Sequence, residues 1–285
     1  MDSPELSFWE RHSFAIRRLH SLSGLVPVGA YMVLHLVINA SVINGADTFQ
    51  ANVYSIHKFG SLLPVLEWTF IFGPILFHAI VGMVIVAGGL PNTHQYPYQA
   101  NYRYTLQRAT GVIAFFFIGL HVFHMHGWFH ANSWVTYVVE PWGGAQFRAY
   151  NATSTAGQAF NQPWGVFPAI AVMILYAVGV LSCVYHFANG VWTMGITWGV
   201  WTSPRAQRRA LQACAAVGVL LAAISMLALV GMRRAVDTPE KLEAVREKEA
   251  QMLKYKIESG EVQPNKHKMA EPEGDEVQAK ASDDR

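Results

Sequence analysis

Charge is scarce in this 285-residue sequence, at 14% Asp, Glu, Lys and Arg, and it is unevenly spread. The first 232 residues hold only 10 of the 21 basic and 6 of the 19 acidic side chains. Ordinary globular proteins carry about 25% charged residues. A water-soluble domain of that length could not cover its surface with so few, which excludes a soluble enzyme. The net charge of +2 supplies no basic field for phosphate and excludes a nucleic-acid binder. Cysteine is nearly missing. Cys183 and Cys214 lie in apolar runs, so there is neither a disulfide framework nor a Cys-based metal site.

Long apolar runs fill the space that charge leaves. A membrane-crossing helix needs about 20 mostly apolar residues, and five stretches qualify: Leu22–Ile43, Val65–Leu90, Leu106–His126, Phe167–Trp198 and Leu211–Met232. Glu67 and Arg108 are the only charges in them, each at a span start. The first is too long for a signal-peptide core and reads as a permanent helix. The expected fold is therefore all-α, an integral membrane bundle of five transmembrane helices. A cytoplasmic segment (1–21) precedes the bundle (22–232), and a charged tail (233–285) follows it. That tail reads as mobile or partly helical.

Basic residues near span ends set orientation. Arg11, Arg17, Arg18, Arg103, Arg108, Arg205, Arg208 and Arg209 fall on one side, against Lys58 and Arg148 on the other. The N-terminus is expected in the cytoplasm and the C-terminus outside. Arg233 and Arg234 oppose this, although long tails cross largely regardless of charge. Trp68, Trp128, Trp164, Trp198 and Trp201 fall near the expected interfaces.

The first four spans each carry one deep histidine: His35, His78, His121 and His186. An ionisable residue inside a membrane is costly and marks a functional site by default. At a rise of about 1.5 Å per residue, His35 and His121 lie roughly 20 and 22 Å from the cytoplasmic face. His78 and His186, on spans running the other way, fall in the inner half. The levels pair His35 with His121 and His78 with His186. Facing imidazoles across a bundle core can hold haem iron in six-coordination. Without C-x-x-C-H, such haems are non-covalent, of the b type.

An internal echo accompanies the pairing. His20-Ser21-Leu22-Ser23-Gly24 and Gln107-Arg108-Ala109-Thr110-Gly111 share a polar-x-x-(Ser/Thr)-Gly pattern at inner helix ends. Phe77-His78 and Tyr185-His186 are each followed one turn later by glycine, Gly82 and Gly190. Such glycines would let a porphyrin lie against the backbone, and they also serve ordinary helix packing.

These segments, with Arg17-Arg18-Leu19-His20-Ser21, His35-Leu36-Val37, His121-Val122, His186-Phe187-Ala188-Asn189-Gly190 and Thr197-Trp198-Gly199, resemble the dihaem cytochrome b membrane anchor of succinate dehydrogenase and fumarate reductase. The likeness is to the five-helix, single-anchor type of Gram-positive bacteria and covers about residues 9–232. The resemblance implies that His78 and His186 ligate an inner haem b and His35 and His121 an outer one. It implies a cytoplasmic FAD flavoprotein and an iron–sulfur subunit as partners, a quinone (menaquinone in this type) as electron carrier, and a bacterial cytoplasmic membrane as the setting. The dicarboxylate site would lie in another chain. The loop at 131–163 and the tail are longer than this type requires. Val184 stands where some fumarate-reductase relatives have a glutamate on a proton path.

Further polar residues gather at the same levels. His20, Arg17, Arg18, Gln107 and Arg108 suit haem propionates or a docking subunit, and equally suit orientation and lipid headgroups. Ser21, Ser23 and Thr110 suit propionates or helix capping. Glu67 is an acid that could handle quinone protons, or a surface carboxylate. The run His121, His124, His126, His130 has the look of a histidine box, which raises a di-iron membrane enzyme or a metal transporter. These histidines climb the helix without a deep carboxylate. A dihaem subunit of a hydrogenase or formate dehydrogenase is the other alternative.

Overall fold

The computed structural model describes residues 7–89, 91, 93–129, 131–265 and 267–270. Leu90, His130 and the tail beyond residue 270 lie outside them. Among the described residues there is no strand, only an isolated bridge between Trp164 and Phe167. The chain is an all-α membrane protein with five helical stretches long and apolar enough to cross a bilayer.

The first crossing joins α1 (Phe8–Leu25) to α2 (Pro27–Ala40) and a short 3-10 turn, spanning Phe8–Asn44. A reciprocal Ser7–Glu10 capping box starts α1. Pro27 lacks an N–H and opens α2, while the Val26 N–H still reaches the Leu22 carbonyl at 2.9 Å. After α3 (Ala46–His57), the second crossing runs from α4 (Leu63–Glu67) through a π-turn at Trp68–Phe72 into α5 (Gly73–Ala87). Pro74 follows that turn. A proline ring collides with the carbonyl four residues back, and the wider π-turn takes up the mismatch.

The third crossing is α6 (Gln99–His126), followed by the short α7 (Asn132–Trp134) and by α8 (Ala152–Asn161). The fourth is α9 (Ala169–Thr197) and the fifth α10 (Pro204–Arg234). Large side chains on these helices stay uncovered, Ile80 at 59% and Val219 at 72% exposure, as lipid-facing residues must be.

The chain divides into two compact units. Unit 1 takes residues 1–36, 64–118 and 177–225, so it holds parts of all five crossings. Its core is Leu36, Val184 and Leu221, packed by Met32, Val33, Val180, Phe187 and Ala222. Val184 is therefore a core residue.

Unit 2 takes residues 37–63, 119–176 and 226–285. Here the tail takes the helical one of its two expected forms over part of its length. Residues 239–258 form α11 (Pro239–Glu258), capped by Thr238 and packed on α3 and α8. Val245, Glu249 and Leu253 form its buried stripe at four-residue spacing. Five crossings bring the connections after the first and third, and the C-terminus, to one side, and these three segments do meet within this unit. Arg233, a charge that opposed an outer C-terminus, sends its Nε to Asn161 Oδ1 at 3.3 Å. Its carbonyl accepts from Asn161 Nδ2 at 2.8 Å.

Candidate functional site

The inner site is built in unit 1 from four helices. His78 on α5 and His186 on α9 face each other with ring centroids 6.0 Å apart and planes at 87°. Each ring is held through Nδ1. His78 Nδ1 lies 2.8 Å from the His20 carbonyl on α1, and His186 Nδ1 lies 3.0 Å from the Gln107 carbonyl on α6. A carbonyl only accepts, so both Nδ1 atoms must carry the proton and both Nε2 atoms keep a lone pair for a metal. Two imidazoles sharing one ion at metal–nitrogen distances of about 2 Å would place their centroids near this separation.

The echo in the sequence explains the seats. The glycine one turn after each accepting carbonyl lies under the ring that the neighbouring helix supplies. A Cβ on Gly24 would stand 2.7 Å from His78 Nδ1, and one on Gly111 would stand 2.8 Å from His186 Cε1. Only a residue without a side chain admits the imidazole there. The repeat sits on α1 and α6, yet it serves the ligand candidates of α5 and α9 rather than those further along its own helices. Gly82 and Gly190 complete the reciprocity: a Cβ at each would meet His20 Cε1 at 3.2 Å and Gln107 Nε2 at 3.4 Å. The side chains of His20 and Gln107 occupy the room beside them.

Gln107 is fully engaged. Its Nε2 donates to the His186 carbonyl at 3.0 Å, and its Oε1 accepts from Asn189 Nδ2 at 2.8 Å. The His20 ring stacks on His78 at 4.0 Å and 12°. Its Nδ1 is buried without a hydrogen-bond partner, a polar group suited to an anionic edge such as a propionate.

The remaining inner residues take individual places. Arg18 lies over the rings of Phe14 and Trp198, and Arg17 is exposed. Ser21 Oγ donates to the Arg18 carbonyl and accepts from Trp198 Nε1. Ser23 Oγ and Thr110 Oγ1 donate to carbonyls of their own helices. The Arg108 guanidinium donates to the Val86 and Gly89 carbonyls and to Tyr104 Oη. It closes the C-terminal end of α5, a role cations fill by complementing exposed carbonyls. Glu67 closes α4.

Sequence reasoning named Asn189 only as part of the His186–Gly190 segment and gave it no role of its own, although it lies one helical turn after His186. It counted Arg103 only as an orientation charge, whereas its guanidinium sits 4.8 Å over Trp192 with a buried Nε.

His35 belongs to unit 1, where its ring is 5.6 Å from Tyr31. His121 belongs to unit 2. There the Tyr176 hydroxyl lies 3.4 Å from His121 Nδ1 and 2.8 Å from His124 Nδ1. His124 is buried and stacked on Trp164 at 4.3 Å. Di-iron centres need imidazoles and carboxylates converging on one point. Among the described residues no three His, Cys, Asp or Glu side chains gather in that way.

No family model matches the chain. Among curated proteins, it is 32% identical over 219 residues to the succinate dehydrogenase cytochrome b558 subunit of Bacillus subtilis (strain 168). The alignment covers 76% of this chain and 95% of that relative. With five apolar crossings and likeness along nearly the whole relative, the chain belongs to the family of succinate dehydrogenase cytochrome b subunits.

Proposed function

We propose that this chain anchors a succinate dehydrogenase in the membrane and carries electrons between its iron–sulfur subunit and a quinone through two b-type haems. The observation that supports this best is the facing pair His78 and His186, each with Nδ1 on a backbone carbonyl and Nε2 left for a metal. In this reading His78 and His186 hold the inner haem, and His35 and His121 the outer one. His20 offers its buried Nδ1 to a propionate. Haem bound in this apolar, bis-imidazole setting supplies a one-electron centre suited to electron transfer rather than ligand chemistry.

The protein's own work is orientation. Two carbonyls fix the ring tautomers, two glycines admit the rings, and the lipid-facing residues keep water away. The partners in this reading are an FAD flavoprotein and an iron–sulfur protein on the cytoplasmic side of a bacterial membrane, with menaquinone as carrier. The arginine excess beside the N-terminus supports that orientation.

Pyridine haemochrome analysis of the purified chain tests the cofactor reading. Two protohaems per chain are expected, falling to one in His78→Ala and to one in His35→Ala. Unchanged haem content in both variants overturns the ligand assignment. Copurification with a nickel or molybdenum subunit in place of a flavoprotein overturns the partner assignment.

A further inference from the structure

We propose that the Tyr176 hydroxyl is a positioning group for His121 and sets the reduction potential of the haem that His121 holds. This rests on the reading of His121 as a haem ligand. Tyr176 is 4% exposed, on the fourth crossing, and a buried phenol needs a hydrogen-bond partner. Two imidazole nitrogens flank it, His121 Nδ1 at 3.4 Å and His124 Nδ1 at 2.8 Å.

A hydroxyl has one proton to give. A ligating His121 keeps its Nε2 for iron and carries the proton on Nδ1, so it donates to Tyr176 Oη. Tyr176 then gives its own proton to the lone pair on His124 Nδ1. The order is therefore His121 to Tyr176 to His124, and the last two groups are fixed from outside the chain of bonds. His124 is 2% exposed and stacked on Trp164 at 19°. Trp164 in turn donates Nε1 to the Trp142 carbonyl at 2.9 Å. Phe160 meets the Tyr176 ring edge-on at 4.8 Å.

An acceptor on Nδ1–H pushes electron density into the imidazole and strengthens its donation to the metal, which favours the ferric state. The inner ligands differ in kind. Their acceptors are helix carbonyls, which no side-chain substitution removes. Tyr176 is an acceptor that mutation can delete, and its strength depends on where its own proton goes.

The experiment is a redox titration of the haem α-bands in the assembled complex, for the parent and four variants. Tyr176→Phe is expected to raise the midpoint potential of one haem and leave the other unmoved. His124→Leu removes the proton's destination and is expected to move the same haem in the same direction. His124→Gln, whose amide oxygen can accept from Tyr176, is expected to stay near the parent value. Unaltered potentials in Tyr176→Phe overturn the proposal. So do equal shifts in His124→Leu and His124→Gln, or both haems moving together. If Tyr176→Phe does not retain the haem, the two His124 variants decide. His121→Ala separates the premises: retention of both haems overturns the ligand reading, whereas loss of one haem beside an unresponsive Tyr176→Phe overturns only the role of Tyr176.

Discussion

His78 hangs from the backbone of His20: its Nδ1 lies 2.8 Å from the His20 carbonyl, while the two imidazoles stack 4.0 Å apart. The carbonyl also accepts from Ser23 Oγ at 2.9 Å. One turn later on the same helix, Gly24 leaves the space that the His78 ring fills. The ring is thus positioned by backbone atoms of a neighbouring helix, and the sharpest tests address that seat.

Gly24→Ala places a methyl 2.7 Å from His78 Nδ1, inside the distance that real Cβ contacts allow. Overpacking of this kind costs about 1–3 kcal/mol. The expected outcome is loss or spectral change of one haem with retention of the other, read from the dithionite-reduced spectrum. Gly111→Ala, with its methyl 2.8 Å from His186 Cε1, is expected to affect the same haem.

Gln107→Leu keeps the carbonyl that His186 Nδ1 needs but removes the amide clamp. The Asn189 amide then loses its acceptor, while the His186 carbonyl keeps only its bond within α9. A buried donor left bare costs about 1–3 kcal/mol. A lower thermal midpoint and a broadened α-band of one haem are expected. Gln107→Glu retains the acceptor for Asn189 and is expected to be milder at acidic pH, where its carboxyl can donate.

Glu249 carries the packing of α11. Its Oε1 accepts from the Thr153 and Ser154 amides at 2.8 and 3.0 Å, and its Oε2 accepts from Ser154 Oγ at 2.5 Å. These amides open α8, and Gln50 Oε1 takes the Ala152 amide beside them at 2.7 Å. Glu249→Leu strips the first turn of α8 of its acceptors, at about 1–3 kcal/mol for each buried donor left bare. Limited proteolysis is expected to cut within 239–258 far faster in Glu249→Leu than in Glu249→Gln, which keeps an acceptor oxygen.

Acid acts on this region through two groups of opposite sign. Burial, helped by the Lys268 charge, lowers the His57 pKa from 6.5 to about 4. Its contribution to stability is whole above pH 6.5 and is lost as pH falls through 6.5 toward 4. Burial raises the Glu249 carboxyl above its ordinary 4.5 against the hydrogen bonds that lower it. Its contribution is whole below 4.5 and is lost as pH rises through its folded value. Between pH 6.5 and 5 the His57 loss is expected to show as faster proteolysis of α11. His57→Asn is expected to flatten that dependence, and a dependence equal to the parent's would assign it to another group.

The sequence carries much of this molecule in plain form. Five long apolar runs, charged only at Glu67 and Arg108, specify the crossings, because lipid leaves a helix few alternatives. The four deep histidines stand out because an imidazole in a membrane requires a reason. The echo of His20–Gly24 in Gln107–Gly111 is legible as a repeat, but its use is not. Which neighbour a helix face meets depends on the rotation of whole helices, and periodicity along one helix does not encode that. Tyr176 is similarly hidden, since phenols in spans are common and its two imidazole partners come from another crossing. In the tail, Val245, Glu249 and Leu253 fall at four-residue intervals. The acid at the centre of that stripe gives no sequence signal for burial, and only the amides at the start of α8 reveal why it is buried there.

The cap of α8 is supplied by a residue 95 positions further along the chain. The amides of Thr153 and Ser154 therefore wait for their acceptor until the ribosome has finished the last crossing and most of α11. A chain ending near residue 238 would hold every deep histidine and still leave that helix unfinished. The segment after the last crossing thus makes synthesis through Glu249 a condition for closing a loop made long before it.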